Sequence, residues 1–164
     1  MKRFIGLLAF FAALVCWPCL SFGAGASTVL TSHTKYWVPA ENNGAQQGRM
    51  VLKITATADD GTGAFNTIAL DPGGLGILGW YILEVDIKPG STGPTNGAWD
   101  LDVTDANAWL VSQNLMDNLA SSGTQHFKGG AFGYPMIKNT WTLSIGDNVV
   151  NSAVAVIYLT FASN

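Results

Sequence analysis

Asp100, Asp102 and Asp105 form the run in this chain with the clearest chemical potential, an Asp-x-Asp-x-x-Asp sequence. Alternation along a strand places Asp100 and Asp102 on one wet face, about 7 Å apart. Oxygen ligands so placed could hold calcium, which takes six to eight of them. The glycine and closing glutamate of an EF-hand loop are missing, which favours the plainer reading of a solvated acidic row that protects a strand edge from aggregation. Glu84 and Asp86 also share a face. A paired-carboxylate glycosidase needs its acids about 5 Å or about 6.5–9.5 Å apart across a cleft. Two neighbours on one exposed strand can match the distance without flanking a sugar, and Lys88 continues their row as surface charge. His33 and His126 stand far apart and belong to no zinc-spaced cluster. No Gly-x-Ser-x-Gly elbow frames a nucleophile. The expectation is a non-enzyme with no catalytic residues, no metal centre and no cofactor. Calcium at Asp100, Asp102 and Asp105 is the metal alternative, and a small carboxylate hydrolase the catalytic one.

Aromatic side chains offer recognition rather than bond-making. Trp37, Trp80, Trp99, Trp109 and Trp141 all lie beyond the N-terminal leader. Alternation assigns Trp99 and Trp141 to a core and puts Trp80 on the polar face of its strand. Tyr36 and Trp37 are adjacent, so in an extended chain they point opposite ways. An exposed indole can stack on a sugar ring, both surfaces being flat and apolar. It can equally make a subunit contact. Trp37, Trp80 and Trp109 are therefore the ligand-binding candidates, with core packing the alternative for each.

Strands must position these groups. Tyr81, Leu83, Val85 and Ile87 alternate with polar Glu84, Asp86 and Lys88, the signature of a half-buried antiparallel strand. Trp99, Leu101 and Val103 repeat it, as do Trp141, Leu143 and Ile145. Met50 to Ala58 and Phe65 to Leu70 are further predicted strands. Ala153 to Phe161 is apolar at nearly every position, which predicts a central strand or one covered on both faces. Asp59-Asp60-Gly61 and Asp71-Pro72-Gly73-Gly74 supply turns, and Gly146-Asp147-Asn148 predicts a hairpin before the last strand. Leu115, Met116 and Leu119 recur at helical spacing, so Ser112 to Ala120 is the one candidate helix, with an irregular loop as the alternative. Gly129 to Pro135 reads as a loop carrying Phe132 and Tyr134. The pattern predicts an all-β chain, a single antiparallel β-sandwich of either jelly-roll or immunoglobulin-like arrangement.

The N-terminus reads as a secretory signal helix. Lys2 and Arg3 precede an apolar stretch from Phe4 to Val15, Pro18 breaks it, and Ala24-Gly25-Ala26 offers a cleavage site. Residues 1–26 are the expected signal peptide and 27–164 the sandwich domain. The apolar stretch is short of the roughly 20 residues that span a bilayer, so a membrane would be met only through an uncleaved leader. Cys16 and Cys19 are the chain's two cysteines and both lie in the leader. The exported domain would thus rely on packing alone, in the periplasm, at the cell surface or in the medium. A net charge of −3 with no clustered Lys and Arg excludes a nucleic-acid groove. A mean hydropathy of +0.25 and abundant aromatics suggest a protein partner or self-association.

Two segments resemble a group of small β proteins encoded by tailed bacteriophages and prophages. The first is the loop Pro89-Gly90-Ser91-Thr92-Gly93-Pro94-Thr95 followed by Asp100-Leu101-Asp102-Val103-Thr104-Asp105. The second is Thr142-Leu143-Ser144-Ile145, then Asn148-Val149-Val150-Asn151-Ser152-Ala153 ahead of an apolar last strand. The resemblance implies a phage-related structural or interaction module, virion-associated or exported, and carries no catalytic residues. The alternative function is an extracellular carbohydrate-binding module that stacks a glycan on Trp37, Trp80 or Trp109.

Overall fold

A computed structural model describes residues 25–39 and 46–163. The expected leader, apart from its last two residues, lies outside the described residues. Two antiparallel sheets stack face to face, as the alternation predicts. The larger contains β1 (Ser27–Pro39), β2 (Gln46–Thr57), β4 (Tyr81–Pro89), β6 (Gln125–Lys128) and β8 (Val154–Ala162), in the order β1-β2-β8-β4-β6. The smaller contains β3 (Ile68–Leu70), β5 (Asp100–Asp105) and β7 (Trp141–Gly146), in the order β3-β7-β5. A one-turn helix α1 (Pro72–Leu75) and a 3-10 turn (Gly129–Phe132) are the only helical pieces among the described residues.

The core is the set of inward residues from both sheets. Met50, Leu52, Ile54 and Ala56 of β2 lie beside Ala155, Ile157, Leu159 and Phe161 of β8, all buried. Leu101, Val103, Trp141, Leu143 and Ile145 cover them from the smaller sheet. Each large aliphatic side chain so buried stabilises the fold by about 1.5–3 kcal/mol. β8 is central, between β2 and β4, which accounts for its apolar run; its outward Val156, Tyr158 and Thr160 are only half-buried.

Four expectations are corrected. In β4 the register against β8 shifts between Ile82 and Glu84. That bulge turns the first part of the strand over. Trp80 and Ile82 therefore enter the core, while Tyr81 and Leu83 are only half-buried; strict alternation had assigned them the other way round. Ser112 to Ala120 is not a helix but a series of turns, with positive φ at Gln113, Asn114 and Asn118. Its apolar spacing serves docking along β5: Leu101 donates to the Met116 carbonyl at 3.0 Å, Leu119 donates to the Trp99 carbonyl at 2.8 Å, and Met116 and Leu119 are buried. Gly146-Asp147-Asn148 does not close a hairpin, because β7 and β8 belong to different sheets. Asn148 instead pins the crossing, donating to the Gly63 carbonyl at 2.6 Å and accepting from the Thr95 amide at 3.0 Å. Phe132, expected in a loop, is buried against the core beyond β6.

Candidate functional site

The three candidate tryptophans have different fates. Trp37 lies on edge strand β1 opposite Gly48 and is 58% exposed. Trp80, expected on a polar face, is only 9% exposed. Its ring lies over Gly48 of β2, where a Cβ would come within 2.7 Å of it, so the glycine makes room for the indole. The Lys35 ammonium lies over the ring, 4.8 Å from its centroid, and donates to the Gly76 carbonyl at 3.2 Å. Trp80 thus braces the end of the larger sheet and presents no platform.

Trp109 does. It is 53% exposed and sits in the turn that leaves β5. Asp105 builds that turn, its Oδ1 accepting from the amides of Asn107 (2.8 Å) and Trp109 (2.9 Å). In return the Trp109 carbonyl accepts from the Asp105 amide at 3.0 Å. Ala108 between them takes the left-handed conformation at φ 60°, a cost of order 1 kcal/mol that the surrounding bonds sustain. The Trp109 amide above all holds the Asp105 carboxyl below its ordinary range; burial, the next-largest effect, opposes it, and bonds from Asn107 and Asn139 lower it further. Asn139 reaches across from the loop before β7, accepting from the Ala106 amide at 3.3 Å. The two loops enclose a cleft of about 310 Å³. Trp109 and Met136 supply apolar wall, Asp105, Asn107, Lys138 and Asn139 polar rim, and buried Trp141 part of the lining.

A larger cleft of about 460 Å³ lies between β1 and β3, lined by Thr28, Ile54, Ile68, Leu70 and Leu75 among others. Among the described residues its lining holds no aromatic side chain, and its acid, Asp71, accepts from the Gly73 amide at 2.9 Å. Among the described residues it offers no exposed indole of the kind Trp109 presents.

The aspartates weighed as calcium ligands do not act together. Asp105 is committed to the Trp109 turn, and Asp100 Oδ1 accepts from the Asn118 amide at 2.6 Å. The acid that joins Asp100 and Asp102 is Asp117, from the irregular segment. Its carboxyl titrates above the ordinary range because of burial first and repulsion from Asp100 and Asp102 second. A carboxyl raised by folding weakens the native state wherever it is ionised, and the penalty disappears as pH falls below the unfolded value near 3.8. Asp117→Asn is accordingly expected to raise the melting temperature slightly at pH 7 and to leave it unchanged near pH 3, as scanning calorimetry at both values would show. Among the described residues, the side chains that bring three possible metal ligands within 4.8 Å of one another are Glu84, Asp86 and His126. Sequence reading paired the two acids but left His126 aside. Finding it required the β4–β6 register, which sets Asp86 opposite His126.

No family model matches the sequence, and no curated protein does. The phage-protein resemblance gains no support from these comparisons. Among solved structures, the chain is similar to a low-affinity xylan-binding module, CBM86, of the gut symbiont Roseburia intestinalis. That likeness has a TM-score of 0.31 and 9% identity, over 84% of this chain and 95% of that one. It is also similar to the C-terminal family 22 carbohydrate-binding module of Clostridium thermocellum Xyn10B, with a TM-score of 0.31 and 9% identity, over 85% of this chain and 86% of that one. Likeness at this level assigns no ligand, which must be argued from the chain's own side chains.

Proposed function

We propose that this chain is a non-enzymatic binding module whose ligand is a short saccharide, held in the Trp109 cleft. The observation that carries the reading is an exposed indole, fixed by Asp105, beside a polar rim of Asn107, Lys138 and Asn139. A pyranose ring offers an apolar face edged with hydroxyls. Trp109 would take the face, and the Asn107 and Asn139 side-chain amides and the Lys138 ammonium would take the hydroxyls. The cleft volume is at the lower end of the roughly 300–1,000 Å³ usual for small-molecule sites, which suits a short ligand. Export through the leader expected at residues 1–26 belongs to the same proposal, since it would bring the module to extracellular glycans.

Titration of the protein with a panel of soluble oligosaccharides, read by tryptophan fluorescence, tests it. A saturable change is expected for at least one member, lost or weakened roughly tenfold or more in Trp109→Ala with the melting temperature unchanged. A silent panel, or a variant that binds as well as the parent, would overturn the reading. A second reading, a structural or self-associating module of the kind the phage resemblance implies, draws on β1. This is a thirteen-residue edge strand with Tyr36 and Trp37 exposed, and such edges invite pairing with another chain. That protein would leave the oligosaccharide titration silent.

A further inference from the structure

We propose that Glu84, Asp86 and His126 form a binding site for a divalent transition-metal ion of the zinc type, on the outer face of the larger sheet. The proposal stands apart from the saccharide reading and shares no residue with the Trp109 cleft.

The site follows from three features of the backbone. The bulge between Ile82 and Glu84 resets the alternation of β4, so that Val85 and Ile87 face the core and Glu84 and Asp86, two residues apart, share the outer face. Pairing with β6 sets His126 directly across from Asp86. Gly129 then lets the chain close tightly on the bulge, since its hydrogen stands where a Cβ would strike the Ile82 carbonyl and the Leu83 backbone. One imidazole and two carboxylates are thereby held on adjacent, paired strands instead of on a loop.

The geometry is near what a metal needs. His126 Nδ1 is 2.6 Å from Asp86 Oδ1, and the ligand atoms of all three residues lie within 4.8 Å of one another. A tetrahedral zinc ion with bonds of about 2.1 Å sets its ligand atoms about 3.4 Å apart. His126 and Asp86 would open slightly and Glu84 would close, movements within reach of side-chain rotation because Glu84 and Asp86 are only half-buried and His126 is exposed. Solvent would complete the coordination shell.

The donor set also selects the class of ion. Calcium and magnesium prefer all-oxygen shells, whereas an imidazole nitrogen with carboxylates suits zinc and its first-row neighbours. Lys128, opposite Glu84, and Lys88, next along the β4 row, face the same side of the sheet. Their charge tempers affinity, so the ion is expected to bind reversibly, unlike a structural zinc.

Calorimetric titration of the full chain with zinc chloride tests this, with Cys16→Ser and Cys19→Ser present throughout so that no thiol competes. One equivalent is expected to bind, with affinity reduced roughly tenfold or more by His126→Gln and by Asp86→Asn, and unchanged by His33→Gln. Both site variants should melt at the parental temperature without metal, which separates lost ligation from lost fold. No transition up to about 1 mM zinc, or a one-equivalent transition that survives both site variants, would overturn the proposal.

Discussion

Trp141→Ala is expected to remove about 3–5 kcal/mol from the unfolding free energy, as large aromatic deletions in cores do. Urea denaturation followed by circular dichroism would measure it. The size of the effect comes from position. Trp141 begins the central strand of the smaller sheet, paired with Leu70 on one side and Asp105 on the other, and is 1% exposed. Across the sandwich its ring meets Phe161 at a centroid distance of 6.2 Å and a 48° tilt, linking the two sheets. Against a total of about 5–15 kcal/mol for a typical domain, the loss leaves a marginal fold. Because Trp141 also lines the Trp109 cleft, the variant should bind saccharide poorly even where it remains folded. Trp141→Phe should recover much of the stability, since only part of the buried area is lost. A loss under 1.5 kcal/mol in Trp141→Ala (about half the smallest value expected) would mean that the two sheets do not depend on this contact.

Gly129→Ala carries the second large effect, about 2–3 kcal/mol, in the range of overpacked cores. An added Cβ would sit 2.2 Å from the Ile82 carbonyl oxygen and 2.9 Å from the Leu83 Cα and carbonyl oxygen. All three are backbone atoms on the β4 bulge, so no side chain can rotate out of the way. Relief requires β6 and the 3-10 turn to lift from β4. Gly146→Ala is the matched control, because its Cβ would meet nothing within 4 Å. Thermal unfolding should show a drop of roughly 5–10 °C for Gly129→Ala and almost none for Gly146→Ala. Equal melting temperatures would contradict the close approach of β6 to the bulge.

The sandwich was legible in the sequence wherever one face of a strand meets the core and the other meets water. Leu101, Val103, Leu143 and Ile145 follow the period of two without interruption, and all are buried. What alternation cannot register is a single inserted residue. The β4 bulge reverses the facing of Trp80 and Ile82, moving a candidate ligand platform into the core. Helical spacing misled in the Asn118 region for a related reason. Met116 and Leu119 reach the core from turns that need positive φ at Gln113, Asn114 and Asn118; side-chain amides tolerate that conformation, and it leaves no periodic trace.

Of the candidate site, the sequence showed the residue types but not their grouping. Trp109 was among the exposed-aromatic candidates, but nothing local to it distinguished it from Trp37 or Trp80. What sets it apart is the loop before β7, nearly thirty residues later in the chain, which brings Lys138 and Asn139 to the cleft. Asp105 entered the sequence reading as part of a solvated acidic row, with calcium as the alternative. Its carboxylate is consumed by the amides of Asn107 and Trp109, a short-range Asx-type bond that the sequence permits but does not single out. His126 gained its importance only from strand pairing across forty residues.

The most direct measurement is the indole N–H spectrum of the labelled protein during titration with a saccharide that binds. Trp109 is expected to show the largest shift of the tryptophan resonances, with Trp99 and Trp80 nearly still because they are buried away from the ligand. A spectrum in which Trp37 moves and Trp109 does not, at saturating saccharide, would place the binding surface on β1 and contradict the assignment of the cleft.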